Sequence, residues 1–186
     1  MRQVAGVLLT GGASRRMGTD KARIVVNGET LAARAARVLS AVCDPVIEVG
    51  PSVSGLPAVQ EDPPGVGPLV ALLAGVGALG NPRRVLLLAC DLPFVEAPLL
   101  RLLVEWPGTG TVIPVVGDRA QFACARYGAD ALDAAREALR AGELSLRAMV
   151  GPDCAYLSVE EWGDVATERA FADVDTPDDL QRLGLA

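Results

Sequence analysis

Val4-Ala5-Gly6-Val7-Leu8-Leu9-Thr10-Gly11-Gly12-Ala13-Ser14-Arg15-Arg16-Met17-Gly18-Thr19-Asp20-Lys21 begins as an unbroken apolar run and passes directly into a glycine-rich, basic loop. An apolar run this short, ended by glycines, reads as a strand buried on both faces, the kind found in parallel sheets. The glycines Gly11, Gly12 and Gly18 let the backbone turn tightly and bring N–H groups close to an anion. Arg15, Arg16 and Lys21 add the positive charge that would neutralise it. Phosphate is the chemistry such a loop suits. Its spacing excludes the two commonest phosphate loops. Five residues separate Gly12 from Gly18, and Thr19-Asp20 follow where a Walker loop needs Lys-Ser/Thr. The adjacent pair Gly11-Gly12 does not fit the G-x-G-x-x-G of a dinucleotide fold.

Composition narrows the partners of this loop. At 186 residues the chain fits one domain, 1–186, that needs no metal or disulfide staple. Apolar residues make up 51% but aromatic ones only 4%, so the core is expected to be aliphatic. A formal charge of −6 argues against a protein that coats nucleic acid or an anionic membrane. No apolar run is long enough to span a bilayer and no leader pattern opens the chain, so a cytoplasmic protein is expected. Cys43, Cys90, Cys124 and Cys154 form no C-x-x-C pair and read as reduced, mostly buried thiols. Histidine is absent, which removes Ser-His-Asp hydrolysis and histidine-based zinc or general-base chemistry. Acid, base and metal roles then fall to carboxylates and lysine, with magnesium (Mg2+) on Asp oxygens the natural candidate.

Along the chain, strand-like and helix-like patterns alternate, which implies a largely parallel sheet. Thr30 is placed as the N-cap of a helix through Leu31, Ala35, Val38 and Leu39. Val46–Val49 and Ala58-Val59 read as strands, and Pro68 as the first residue of a helix reaching Leu79. Val85-Leu86-Leu87-Leu88-Ala89 is the strongest buried-strand signal and ends at Cys90-Asp91-Leu92-Pro93. In an open α/β sheet ligands bind beyond the carboxyl ends of central strands, where Asp91 and the glycine-rich loop would both stand. Thr111–Val116 and Phe122–Tyr127 are expected to form the sheet's single antiparallel pair, followed by a helix over Asp130–Ala141. Thr176-Pro177 opens a last helix, and Asp173 and Asp175 alternate before it on one side. Trp106 and Trp162 read as packing residues.

Read together, four stretches carry a resemblance: Leu9-Thr10-Gly11-Gly12 through Arg16-Met17-Gly18 to Asp20-Lys21, Asp62 with Gly67-Pro68-Leu69, Cys90-Asp91-Leu92-Pro93, and Asp175-Thr176-Pro177-Asp178-Asp179-Leu180. Their order and spacing resemble the molybdenum cofactor guanylyltransferases, over nearly the whole chain. Gln121-Phe122-Ala123-Cys124-Ala125-Arg126-Tyr127 is similar to that family's Q-P-L-x-A-x-Y strand. The resemblance implies a single Rossmann-like domain, three-layer α/β/α with a mostly parallel sheet and one antiparallel pair. It implies transfer of GMP from GTP to the phosphate of molybdopterin cofactor, with release of pyrophosphate and a requirement for Mg2+. The protein partners it admits are molybdoenzyme apoproteins or cofactor-delivery proteins. Carried over position by position, Leu9, Thr10, Gly11 and Gly12 would contact the nucleotide, Lys21 its phosphates, Asp62 the nucleoside and Asp91 the metal. Arg16, Lys21 and Asp91 would be catalytic, and Asp175 a second metal ligand. Related cytidylyltransferases tend to carry alanine at the position of Gly11, so glycine leaves room suited to a purine. Asp173-Val174-Asp175 stands where guanylyltransferases commonly have Asn-x-Asn, and Phe122 replaces the usual proline. A CTP-dependent or sugar-phosphate nucleotidyltransferase and a non-catalytic nucleotide-binding protein therefore remain alternatives.

Overall fold

The computed structural model describes residues 4–11 and 20–185. Its strands are β1 (Ala5–Leu9), β2 (Val25–Val26), β3 (Glu29–Thr30), β4 (Val46–Val49), β5 (Ala58–Val59), β6 (Val85–Ala89), β7 (Val112–Val116), β8 (Arg119–Ala120), β9 (Cys124–Tyr127) and β10 (Ala155–Leu157). Its α-helices are α1 (Leu31–Ser40), α2 (Pro68–Ala78), α3 (Ala97–Glu105), α4 (Ala129–Arg140), α5 (Val159–Trp162) and α6 (Pro177–Arg182). The main sheet runs β10-β7-β9-β6-β1-β4-β5, with β8 hung on β7, and β2 and β3 form a separate ribbon.

The apolar runs behave as parallel strands covered on both faces should. Leu8 of β1 and Leu86 and Leu88 of β6 join α1 and α3 in one core layer. Val7 and Leu9 of β1 and Val85 and Leu87 of β6 join α2 and α4 in the other. Alternating side chains thus serve opposite layers, and nearly every residue of both strands is apolar because neither face meets water. The caps fall where the sequence puts them. Thr30 accepts from Ala33 N–H at 3.1 Å, and Pro68 and Pro177 open their helices without wasting an N–H. The close seat of α2 on the sheet depends on Gly75, since a Cβ there would lie 2.9 Å from both Val7 and Val49 side-chain carbons.

β1, β4, β5 and β6 are parallel, as are β7 and β10. The expected pairing of β9 with β7 forms, but β9 is inserted between β7 and β6 and runs antiparallel to both. The turn at Gly117-Asp118 then closes a small hairpin of β7 with β8 instead of leading straight into β9. Cys43, Cys90 and Cys124 are buried, Cys154 is half-buried, and none is bonded to another. Burial pushes the Cys43 and Cys124 thiols up to about 12, so they are inert packing groups. Trp162 is fully buried, donates to the Leu157 carbonyl at 3.1 Å and meets Phe171 edge-on at 5.3 Å.

Candidate active site

The chain leaves β1 for β4 on one side and returns from α2 to β6 on the other, which makes β1 the switch point of the sheet. β1 and β6 end in register, Leu9 beside Ala89, and Cys90 N–H donates to the Leu9 carbonyl at 3.0 Å. Two loops therefore emerge side by side, one carrying Thr10 and Gly11, the other Asp91. A cavity of about 680 Å³ opens there, lined by Leu9, Thr10, Gly11, Lys21, Glu61 and Asp91, and extending to Arg119, Gln121, Phe122, Phe171 and Asp173.

Lys21 begins a single 3-10 turn whose start is capped by Asp20, which accepts from Ala22 N–H at 3.1 Å. Its ammonium forms an ion pair with Asp175 and lies 3.8 Å from Asp91 Oδ2. Among the described residues Asp91 is thus flanked by the Lys21 cation and, along the tail, by Asp173 and Asp175. Burial pushes the Asp91 carboxyl up, Lys21 opposes that, and the charges of Asp173 and Asp175 add to it. A carboxylate disfavoured by its own surroundings is one that gains from an added cation. The tail is held in place by Val174 N–H donating to the Asp91 carbonyl at 3.0 Å. Behind it, Asp179 accepts from Asp175 N–H, Thr176 N–H and the Thr176 hydroxyl, while Asp179 N–H donates back to Thr176. Asp178 and Asp179 do lie in the first turn of that helix, and Asp179 shapes the site indirectly through this cap.

Thr10 and Gly11 present backbone, with limits that the sequence conceals. Both N–H groups point back to the Val49 carbonyl, at 3.1 and 3.3 Å. The Thr10 hydroxyl donates to buried Glu48 at 2.6 Å. A Cβ on Gly11 would meet Gly50 Cα at 3.5 Å and Glu61 Oε1 at 3.6 Å, ordinary contacts. The fold does not demand glycine at this position; its missing side chain leaves volume in the cavity.

Asp62 is exposed and stands outside the cavity lining, whereas its neighbour Glu61 is 6% exposed and forms part of the wall. Glu61 Oε1 accepts from Gly65 N–H at 2.9 Å. Oε2 is shielded from water and, alone among the buried side-chain oxygens and nitrogens of the described residues, has no hydrogen-bond partner. Sequence reasoning passed over this residue. The available signal was a pair of adjacent carboxylates before Pro63, and nothing local says which of the two turns inward. Gly12 and Arg16 lie outside the described residues. Among the described residues no three metal-ligating side chains converge, so any metal here would be held by Asp91, with Asp175 within reach of Lys21, and by ligand oxygens. Magnesium commonly binds in that way, through one or two carboxylates plus phosphate and water.

Residues 6–156 match the model of the MobA-like NTP transferase domain, which is most of the chain and nearly all of the sheet. The chain belongs to the MobA-like NTP transferase family. A relative from Chloroflexus aggregans named "Probable molybdenum cofactor guanylyltransferase" is 32% identical over 96% of this chain and 92% of its own length. One of the same name from Pelotomaculum thermopropionicum is 34% identical over 97% and 91%. The solved structure of molybdopterin-guanine dinucleotide biosynthesis protein A from Archaeoglobus fulgidus superposes with a TM-score of 0.80 over 96% of both chains, at 23% identity. The cavity at the β1/β6 switch point is accordingly the candidate active site of a nucleotidyltransferase.

Proposed function

We propose that the chain transfers GMP from GTP to the phosphate of molybdopterin cofactor, releasing pyrophosphate, with Mg2+ as its metal and the cytoplasm as its place of action. The observation that carries the choice of GTP is the Glu61 carboxylate in the cavity wall, with Oε1 beside Gly11 and Oε2 without a partner among the described residues. Guanine presents two adjacent donors, N1–H and the 2-amino group, and a carboxylate is an acceptor only. Cytosine and adenine place a ring acceptor next to their amino group, which such a carboxylate repels. The volume left by Gly11 admits the larger ring system.

The phosphate end is supplied by Lys21 and Asp91, together with Arg16 of the glycine-rich basic loop. A phosphomonoester acceptor is already ionised near neutral pH, so the reaction needs no general base, in keeping with a chain that has no histidine. What it needs is two anions held together and charge stabilised on the α-phosphate and departing pyrophosphate. The Lys21 ammonium is directed there by the Asp20 cap and by its carboxylate neighbours. Mg2+ on Asp91, with Asp175 as a second ligand, would neutralise phosphate charge when bound. Molybdoenzyme apoproteins or cofactor-delivery proteins would receive the product.

The test is pyrophosphate release from a panel of GTP, ATP, CTP and UTP with molybdopterin and Mg2+. Release with GTP well above the others is expected. Turnover with CTP, or with a sugar phosphate in place of molybdopterin, would replace this reading. NTP binding without release would make the protein a non-catalytic carrier.

A further inference from the structure

Glu48 lies in the middle of β4, has no exposed surface, and does not itself line the cavity. A carboxylate so placed would be costly unless well supplied with donors. Its donors come from two places. From the loop after β4, Val53 N–H donates to Oε1 at 2.9 Å, and Ser54 N–H and hydroxyl donate to Oε2 at 2.8 and 2.5 Å. From the residue that follows β1, the Thr10 hydroxyl donates to Oε1 at 2.6 Å. Thr10 is the one donor that also forms the cavity wall.

Position 50 is fitted to the same contact. A Cβ on Gly50 would overlap the Thr10 hydroxyl and come 2.6 Å from Gly11 N, and the φ of +146° there disfavours a side chain as well. Thr10 and Gly11 N–H groups both reach the Val49 carbonyl of the same strand. The Thr10-Gly11 backbone is thus fixed from β4 at its main chain and from Glu48 at its side chain.

We propose that Glu48 is a positioning residue for the nucleotide, acting through the Thr10 hydroxyl to hold the Thr10-Gly11 backbone at the wall of the cavity. This rests on the reading of the cavity as the NTP site. A purely structural Glu48 would only tie down residues 53–54, and its loss would change stability without changing the affinity of the folded protein.

GTP dissociation constants measured by calorimetry for wild type, Thr10→Val, Glu48→Gln, the double variant and Ser54→Ala decide between them. Thr10→Val and Glu48→Gln should each weaken GTP by up to about tenfold, because weakening an internal hydrogen bond to a charged group lowers the fraction of protein with Thr10-Gly11 in the binding geometry. The double variant should be no weaker than the worse single one, because both act through one contact. Thr10→Ser should restore wild-type affinity, and the KM for GTP should rise in step while the KM for the acceptor does not. Ser54→Ala should lower the melting temperature and leave GTP affinity unchanged. Wild-type affinity in Thr10→Val, or additive losses in the double variant, would overturn the proposal, and the Thr10→Val result can do so even if Glu48→Gln does not fold. A wild-type protein that binds no NTP would overturn the nucleotide reading and this one with it, whereas GTP binding indifferent to all four variants would overturn the role of Glu48 alone.

Discussion

Replacing Glu61 with glutamine should convert the base preference from guanine to xanthine. The side chain keeps its size, and the Gly65 N–H that holds Oε1 at 2.9 Å will select the amide oxygen for that position. The amide NH2 must then occupy the place of the unpartnered Oε2. On the GTP reading, in which the base reaches the carboxylate edge, an acceptor meeting the donors of guanine becomes a donor meeting donors. A good paired contact to a base edge is worth ~1–3 kcal/mol of discrimination, and a hydrogen bond to a charged partner about 1.5–3 kcal/mol. Every 1.4 kcal/mol is about tenfold, so GTP should weaken by roughly ten- to a hundredfold or more. Xanthosine triphosphate keeps N1–H but carries a carbonyl at C2, so the glutamine amide can donate where the carboxylate was repelled. Affinities for GTP, ITP and XTP, measured by calorimetry on wild type and variant, supply the test. ITP lacks the 2-amino group and should bind wild type more weakly than GTP. GTP affinity within twofold of wild type in Glu61→Gln, with no gain for XTP, would refute the assignment of Glu61 to the base. CTP bound by wild type in preference to GTP would instead refute the choice of nucleotide.

Other perturbations should separate stability from chemistry. Lys21→Ala and Asp91→Asn should fold yet lose about a hundredfold or more in turnover, the usual consequence of removing one charge-stabilising group, read as pyrophosphate release at saturating GTP. Asp91→Asn should at the same time melt higher than wild type at pH 7. The folded state raises the Asp91 pKa, so above that pKa its ionised form costs stability that the amide does not. Arg126 is fully buried and donates to the carbonyls of Val104, Trp106, Gly108 and Gly110 at 2.8–3.3 Å, and burial lowers its pKa to about 10, leaving it charged at neutral pH. Arg126→Met should destabilise in urea unfolding by about 1–3 kcal/mol for each carbonyl left without a donor and out of reach of water, partly offset because a charge is no longer buried, with GTP affinity of the folded protein unchanged. Glu48 has the opposite pH dependence to Asp91. Burial raises its pKa, but donors from Ser54, Thr10 and Val53 outweigh that and hold it below the ordinary glutamate value of 4.5. Its contribution is therefore present above that value and lost as pH falls through the lowered one, so the urea midpoint should drop on acidification below about pH 4.5 and drop less in Glu48→Gln.

The parts of the fold legible in the sequence are those fixed by local rules. β1 and β6 declare themselves because strands buried on two faces must be apolar throughout, and Thr30, Pro68 and Thr176 mark helix starts because orphan N–H groups need a cap or a proline. β9 is different. Its residues read as a strand, but its insertion between β6 and β7 is set by which sheet edge is left uncovered, a global fact with no period in the sequence. β2, β3 and β8 are two residues each, too short to carry alternation at all.

The site shows the same division with a sharper consequence. Asp91 and Lys21 were legible because each sits at a fixed offset from an apolar strand, and strand ends in a parallel sheet converge on one crevice. Glu48 and Glu61 were not, because a carboxylate in a strand or before a proline ordinarily reads as solvated, and both are buried. What buries them lies elsewhere: Val53 and Ser54 reach back for Glu48, and Gly65 N–H reaches back for Glu61. The distinction between them is the number of donors left over. Glu48 is fully supplied from within the chain, so it can only shape the wall. Glu61 retains an oxygen that nothing among the described residues satisfies, and the proposed reading of the base rests on that carboxylate. Two buried acids flank the same short segment, Thr10-Gly11: Glu48 accepts from its hydroxyl, and Glu61 stands beside it in the cavity wall.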